Sequence, residues 1–79
     1  MNSILFFSAT WCTPCKNMKP IMADFGDIVS YVDVDEDKET TKQWSVGAVP
    51  TIIILENGKE KERIIGAVSR GALRKKLNE

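Results

Sequence analysis

The 79-residue chain has no histidine, two cysteines, three prolines and one tyrosine. Its 11 basic residues balance its 11 acidic ones, so there is no net formal charge. Each shortage excludes something. A closed zinc site takes four ligands, chiefly cysteine and histidine. Two cysteines and no histidine fall short of that unless a second chain or unusual carboxylates contribute, so no metal is expected. Zero net charge removes the reason to expect general binding to nucleic acid or an anionic membrane. The longest apolar run, around residues 52–55, is far too short to span a bilayer. No basic start and no small-residue cleavage pattern precede the apolar run at residues 4–7. The expectation is therefore no signal peptide and a cytoplasmic location. The length suits one domain, residues 1–79, of modest stability.

What the chain does have is a close cysteine pair, in Trp11-Cys12-Thr13-Pro14-Cys15-Lys16. That spacing suits a reversible disulfide or half of a metal site. Ligand counting disfavours the second. In a reducing cytosol such a pair is more often catalytic than a structural staple.

Hydrophobic patterning places the pair in a fold. Ile4-Leu5-Phe6-Phe7 is a continuous apolar run and reads as a buried strand. From Pro14 to about Phe25, Cys15, Met18, Met22 and Phe25 recur at helical steps, with Ile21 beside them. Pro14 suits a first helical turn and Gly26 a terminator. Residues 28–34 read as a second strand. Asp35 or Asp37 can cap a short helix to about Trp44. Thr51 to Leu55 is a β-branched strand. Asn57-Gly58 signals a hairpin to a return strand at Lys61 to Ile65, whose neighbouring charges suit an exposed edge. Ser69 caps a last helix with Leu73 and Leu77 on its buried side. The order is βαβαββα: an α/β fold with a mixed four-stranded sheet and helices on both faces. Its first two strands are parallel and its last two antiparallel.

In this order the cysteines lie where the first strand gives way to the first helix. A helix N-terminus carries partial positive charge and free N–H groups, which favour the reactive thiolate. Spacing of i and i+3 in a turn permits the Cα separation a disulfide needs. Cys12, in the loop, is the expected nucleophile toward a substrate disulfide. Cys15, under the helix, is the expected resolving thiol. The bland alternative is a pair of inert buried thiols. Pro50 could likewise be only a strand start.

These residues resemble the thioredoxin family over nearly the whole chain. Residues 11–16 match its W-C-G-P-C-K site in all but Thr13. Pro20 lies where thioredoxins kink this helix, Val49-Pro50-Thr51 matches the cis-proline loop, and Gly66-Ala67 the late glycine segment. The resemblance implies a thioredoxin-like fold and a redox-active disulfide. It also implies a cis Val49–Pro50 bond against the cysteines, with Trp11, Thr13, Pro14, Lys16 and Pro50 supporting them. Substrate would lie in a shallow groove of Trp11, Ala48, Val49, Pro50, Gly66 and Ala67 and pair by strand addition. Glycine at 66 would let its backbone come close.

The sequence departs from the family in several places. The usual opening strand and helix are missing, and about six residues are absent before the second strand, giving a glutaredoxin-sized form. Thr13 replaces a glycine that helps tune redox potential. Phe6 stands where the family buries an aspartate beneath the second cysteine, and Tyr31 where that acid has a lysine partner. Cys15 is then expected to lose its proton to water or to the Cys12 leaving thiolate, and apolar Phe6 to disfavour its thiolate.

The implied activity is protein-disulfide reduction by a monomer that binds no cofactor. Electrons would come from a thioredoxin reductase or a similar flavoprotein. A glutathione-dependent, glutaredoxin-like reductase is the first alternative. Size favours it, whereas Trp11, Lys16 and the Thr-Pro dipeptide point to thioredoxin. A non-catalytic binding module is the second. The charged stretches Asp33 to Glu39 and Arg70 to Lys76 read as solvated surface.

Overall fold

The structure is a computed structural model and describes residues 2–79. Its elements follow the expected order: β1 (Asn2–Ser8), α1 (Thr13–Ala23), β2 (Val29–Asp33), α2 (Lys38–Gln43), β3 (Thr51–Glu56), β4 (Lys59–Ile65) and α3 (Arg70–Leu77). A single sheet has the strand order β2-β1-β3-β4. The pair β1–β2 is parallel, and β1–β3 and β3–β4 are antiparallel.

The period of two along the central strands divides the core. On one face Ile4, Phe6, Ile52 and Ile54 meet Cys15, Met18 and Met22 of α1 and Leu73 of α3. On the other, Phe7, Val32 and Ile53 meet Trp44 at the end of α2, with Val34 and Val46. The continuous apolar run of β1 is explained by this. It lies at the centre of the sheet and must cover both layers.

Several boundaries move from where the sequence placed them; β4 already begins at Lys59, and β2 ends at Asp33. α1 ends at Ala23, short of Phe25, and a single 3₁₀ turn over Gly26–Ile28 follows. Phe25 keeps its apolar contact with the core from outside the helix, so spacing alone counted it as helical. The turn also takes Ile28, and β2 starts at Val29. Gly26 has φ +63°, which accounts for glycine at that corner.

The end of α2 carries no glycine. Ser45 adopts φ +54°, its N–H donates to the Lys42 carbonyl, and the Val46 N–H donates to Thr41. This is the paired hydrogen-bond pattern of a Schellman stop, with serine in the usual glycine place. The Arg63 guanidinium reaches across from β4 to the carbonyls of Trp44 (2.8 Å) and Ser45 (3.4 Å). The chain therefore leaves α2 on a fixed course into Gly47-Ala48-Val49-Pro50.

At the other end of the sheet, Asn57 and Gly58 have φ +53° and +84°, as a tight I′-type hairpin needs. α3 is capped by Ser69 Oγ, which accepts the Ala72 N–H at 3.2 Å. It is fastened by ion pairs Arg70–Asp24 and Lys76–Glu62, and by Arg74 stacked 5.4 Å from the Phe25 ring centre. Among the described residues no helix is long and apolar enough to cross a membrane.

Candidate active site

The end of β1 and the start of α1 hold the cysteines. Cys12 is the N-cap of α1, and its Sγ accepts the Cys15 backbone N–H at 3.2 Å. Sulfur thus does what a serine or aspartate oxygen usually does at a helix start. Pro14 sits in the first turn, where no N–H is wanted. Cys12 and Cys15 form a disulfide with their Cα atoms 5.3 Å apart. Cys15 is fully buried, and Cys12 is only 5% exposed. The contrast between them is smaller than their loop and helix positions suggest, because the cap folds the Cys12 sulfur back onto the helix. Thr13, Pro14 and Lys16 are exposed around them.

Beneath the pair the surroundings are apolar. Phe6, Met18, Ile52 and Leu73 share the core cluster with both cysteines. Phe6 lies beside Tyr31 in the β1–β2 register, and their rings meet edge to face at 6.0 Å. Among the described residues no cluster of three or more cysteines, histidines or carboxylates is placed to hold a metal ion.

The second wall is the loop before β3. The Val49–Pro50 bond is cis, Pro50 is buried, and Val49 packs against the cluster that contains both cysteines. Thr51, itself buried, fixes this loop by donating from Oγ1 to the Ala48 carbonyl at 2.7 Å. The Gly66 N–H donates to the Pro50 carbonyl at 2.9 Å and ties in the third segment. Gly66 has φ +103°, and a Cβ added there would meet no atom within 4 Å. Glycine is required at 66 by the backbone, and the space above it is open.

Trp11 stands free of the core at 66% exposure, so ordinary packing does not explain it. Its indole Nε1–H donates to Asp35 Oδ2 at 2.8 Å. The loop that carries Asp35 is fixed in turn by Asp33, whose Oδ1 accepts the N–H groups of Asp35 and Glu36. Asp35 therefore anchors Trp11, and a solvated helix start is too bland a reading of this stretch. No spacing rule links positions 24 apart in sequence. The only hint was an acid just beyond the strand that neighbours the cysteine strand.

Trp11, Ala48 and Val49 line a shallow, mainly apolar cavity of about 260 Å³ with Val34, Thr41, Val46 and Gly47. Of the expected groove residues, Pro50, Gly66 and Ala67 lie outside that cavity. The hydrogen bond between Gly66 and Pro50 connects them to its loop. Val34, Thr41 and Val46 were not singled out by sequence, because they join the site only through the crossover to α2.

The thioredoxin family model matches residues 2–79. The chain belongs to the thioredoxin family. It is 41% identical to "Thioredoxin H2-2" of Oryza sativa subsp. japonica over 80 residues, covering 95% of this chain and 59% of that protein. It is 42% identical to "Thioredoxin H2" of Arabidopsis thaliana, with the same coverage. The chain thus spans 59% of the length of these relatives. Among solved structures, a thioredoxin from Halobacterium salinarum NRC-1 superposes with a TM-score of 0.93 at 26% identity, covering 98% of this chain and 72% of that one. The thioredoxin NaTrxh of Nicotiana alata gives 0.83 at 38% identity, covering 98% and 70%. This thioredoxin-family chain therefore has the family's fold, and a cysteine pair at a strand-to-helix junction beside a cis-proline loop.

Proposed function

We propose that the chain is a thiol–disulfide oxidoreductase of the thioredoxin type, acting as a protein-disulfide reductase from one domain. The observation that carries this reading is the Cys12 sulfur at the N-cap of α1. There it accepts a backbone N–H and meets the positive end of the helix, both of which favour thiolate over thiol. In the reduced protein the Cys12 thiolate attacks a substrate disulfide, forming a mixed disulfide and releasing one substrate thiolate. Cys15 then gives up its proton to water and attacks Cys12 Sγ, and the second substrate thiolate leaves; Cys12 is bound in the mixed disulfide at that point and so is not the proton acceptor. Two electrons pass to the substrate, and the Cys12–Cys15 disulfide remains.

Substrate lies across Trp11, Ala48, Val49, Pro50, Gly66 and Ala67, with Thr13, Pro14 and Lys16 at the mouth. The outward peptide groups beside Pro50 offer a short stretch of strand pairing. Partners are protein disulfides and a flavoprotein of the thioredoxin reductase kind. The expected setting is the cytoplasm, where the chain would carry electrons for redox homeostasis.

The test is insulin reduction driven either by thioredoxin reductase or by glutathione alone. Turnover with the reductase is expected. Turnover with glutathione only would support the glutaredoxin-like reading. Retained partner function after both cysteines are replaced by serine would support a binding module. An equilibrium potential far more oxidising than about −270 mV would indicate an oxidase or isomerase.

A further inference from the structure

The charges of β4, Lys59-Glu60-Lys61-Glu62-Arg63, protect an exposed edge. Arg63 does more than that. It pairs with Ile53 in the β3–β4 register and so lies on the α2 side of the sheet. Its Nε and Nη2 groups fork onto the two Glu60 carboxylate oxygens at 3.0 and 2.9 Å. Nη2 also donates to the Trp44 carbonyl at 2.8 Å, and Nη1 more weakly to the Ser45 carbonyl at 3.4 Å. A planar guanidinium held by such a fork keeps one orientation.

Those two carbonyls stand at the C-terminal end of α2, the negative end of the helix, where carbonyls lack helical partners. Ser45 holds φ +54° there without being glycine, a conformation that persists only where its surroundings impose it. The Lys42 and Thr41 carbonyls impose it from within the helix, and Arg63 from outside. The same strand grips the other end of the loop. Gly66, directly after β4, donates its N–H to the Pro50 carbonyl at 2.9 Å, and Thr51 Oγ1 donates to the Ala48 carbonyl.

Residues 46–49 run between these two clamps, and Gly47 among them has the greatest backbone freedom. They supply four of the seven residues that line the cavity beside Trp11. The shape of that wall is therefore set from both ends by β4: by Arg63 at the α2 end and by Gly66 at the Pro50 end.

We propose that Arg63 is a positioning residue for protein substrates: by clamping the end of α2 it holds residues 46–49 in the shape that receives an extended substrate segment. This rests on the redox reading of Cys12 and Cys15. Arg63 acts on substrate binding and not on sulfur chemistry, because Gly66 and Thr51 hold the Pro50 end of the loop independently. A small disulfide that meets only Cys12 is indifferent to residues 46–49, whereas an extended protein segment lies across them. Loosening a wall that serves the bound substrate and the transition state alike raises KM and leaves kcat.

Insulin reduction by the full chain, with thioredoxin reductase in excess, tests it beside reduction of hydroxyethyl disulfide by the pre-reduced chain. Each variant is assayed at a temperature where circular dichroism shows it folded. Arg63→Met should raise KM for insulin at least about threefold, with kcat, the small-disulfide rate and the Cys12–Cys15 potential unchanged. Its Val46 amide should exchange at least about tenfold faster. Arg63→Lys keeps the charge without the fork and should recover part of the loss. Glu60→Gln leaves both carbonyl contacts in place and should keep KM within about twofold of the wild type. If Arg63→Met does not fold, Arg63→Gln, too short to reach the carbonyls, decides on the same readouts. Wild-type KM in either folded variant overturns the proposal. So does an equal loss on the small disulfide, which would mean that Arg63 acts on the sulfurs or on the fold at large. A wild-type chain that reduces the small disulfide but not insulin overturns the protein-reductase reading and this inference with it. Wild-type turnover of insulin beside unaltered variants overturns this inference alone.

Discussion

Replacing Asp35 with alanine isolates the contact that orients Trp11. The bond removed is one N–H···O⁻ interaction at 2.8 Å between two exposed side chains. A hydrogen bond to a charged group is worth about 1.5–3 kcal/mol. Solvent competition at an exposed site reduces that to about 1 kcal/mol, near the upper end for surface pairs. Trp11 has no core packing to hold it otherwise, so the loss falls on the groove wall rather than on the fold. One kcal/mol is about fivefold in an equilibrium or rate ratio. Asp35→Ala should therefore lower kcat/KM for insulin reduction by about three- to fivefold and move the thermal midpoint little. Asp35→Asn keeps an acceptor oxygen without the charge and should fall between the two. The indole Nε1–H resonance of Trp11 provides the direct readout, and its exchange should speed up in the alanine variant. Unchanged kcat/KM together with unchanged indole exchange would show that Asp35 does not hold Trp11 in place.

Three further outcomes follow from the same structure. Leu73 is the only buried residue of α3, so Leu73→Ala should cost about 2–5 kcal/mol, against a total of about 4–12 kcal/mol for a chain this long. Urea unfolding checks this, and a loss below about 1 kcal/mol would contradict the packing. The hydrogen bond and charge of Arg63 hold the Glu60 carboxyl below its ordinary value of 4.5. The pair therefore contributes fully above that value, and the contribution is lost as pH falls through the lower folded one. Glu60 is exposed, so Glu60→Gln should cost less than about 1 kcal/mol at neutral pH, and the gap should close in acid; a gap that widens in acid would contradict the assignment. Phe6 and its apolar neighbours leave no carboxylate beneath Cys15, so the rate of mixed-disulfide resolution should rise with pH through a single thiol titration. A second step that requires a carboxylate would count against that.

The layered α/β fold was legible because its signals are local. Continuous β-branched runs, helical spacing from Cys15 to Met22, Asn57-Gly58 and the Ser69 cap each act within a few residues. The cysteine pair was legible for the same reason, since a helix start and its cap are neighbours in sequence. The stop of α2 was not. Ser45 takes a left-handed conformation with no glycine to announce it, supported by Arg63 from a distant strand. Asp35 was missed because its partner is brought to it by the crossover between β1 and β2. Phe25 was misplaced because it serves the core from a turn as well as it could from a helix.

The proposed reaction divides the work between two sulfurs that differ little in exposure and strongly in position. Trapping with an insulin-derived disulfide substrate, resolved by mass spectrometry, tests it most directly. Cys15→Ser should accumulate a covalent mixed disulfide at Cys12, since nothing remains to resolve it, and Cys12→Ser should accumulate none. A Cys12→Ser variant that captures substrate through Cys15 as readily would mean that Cys12 is not the attacking thiol.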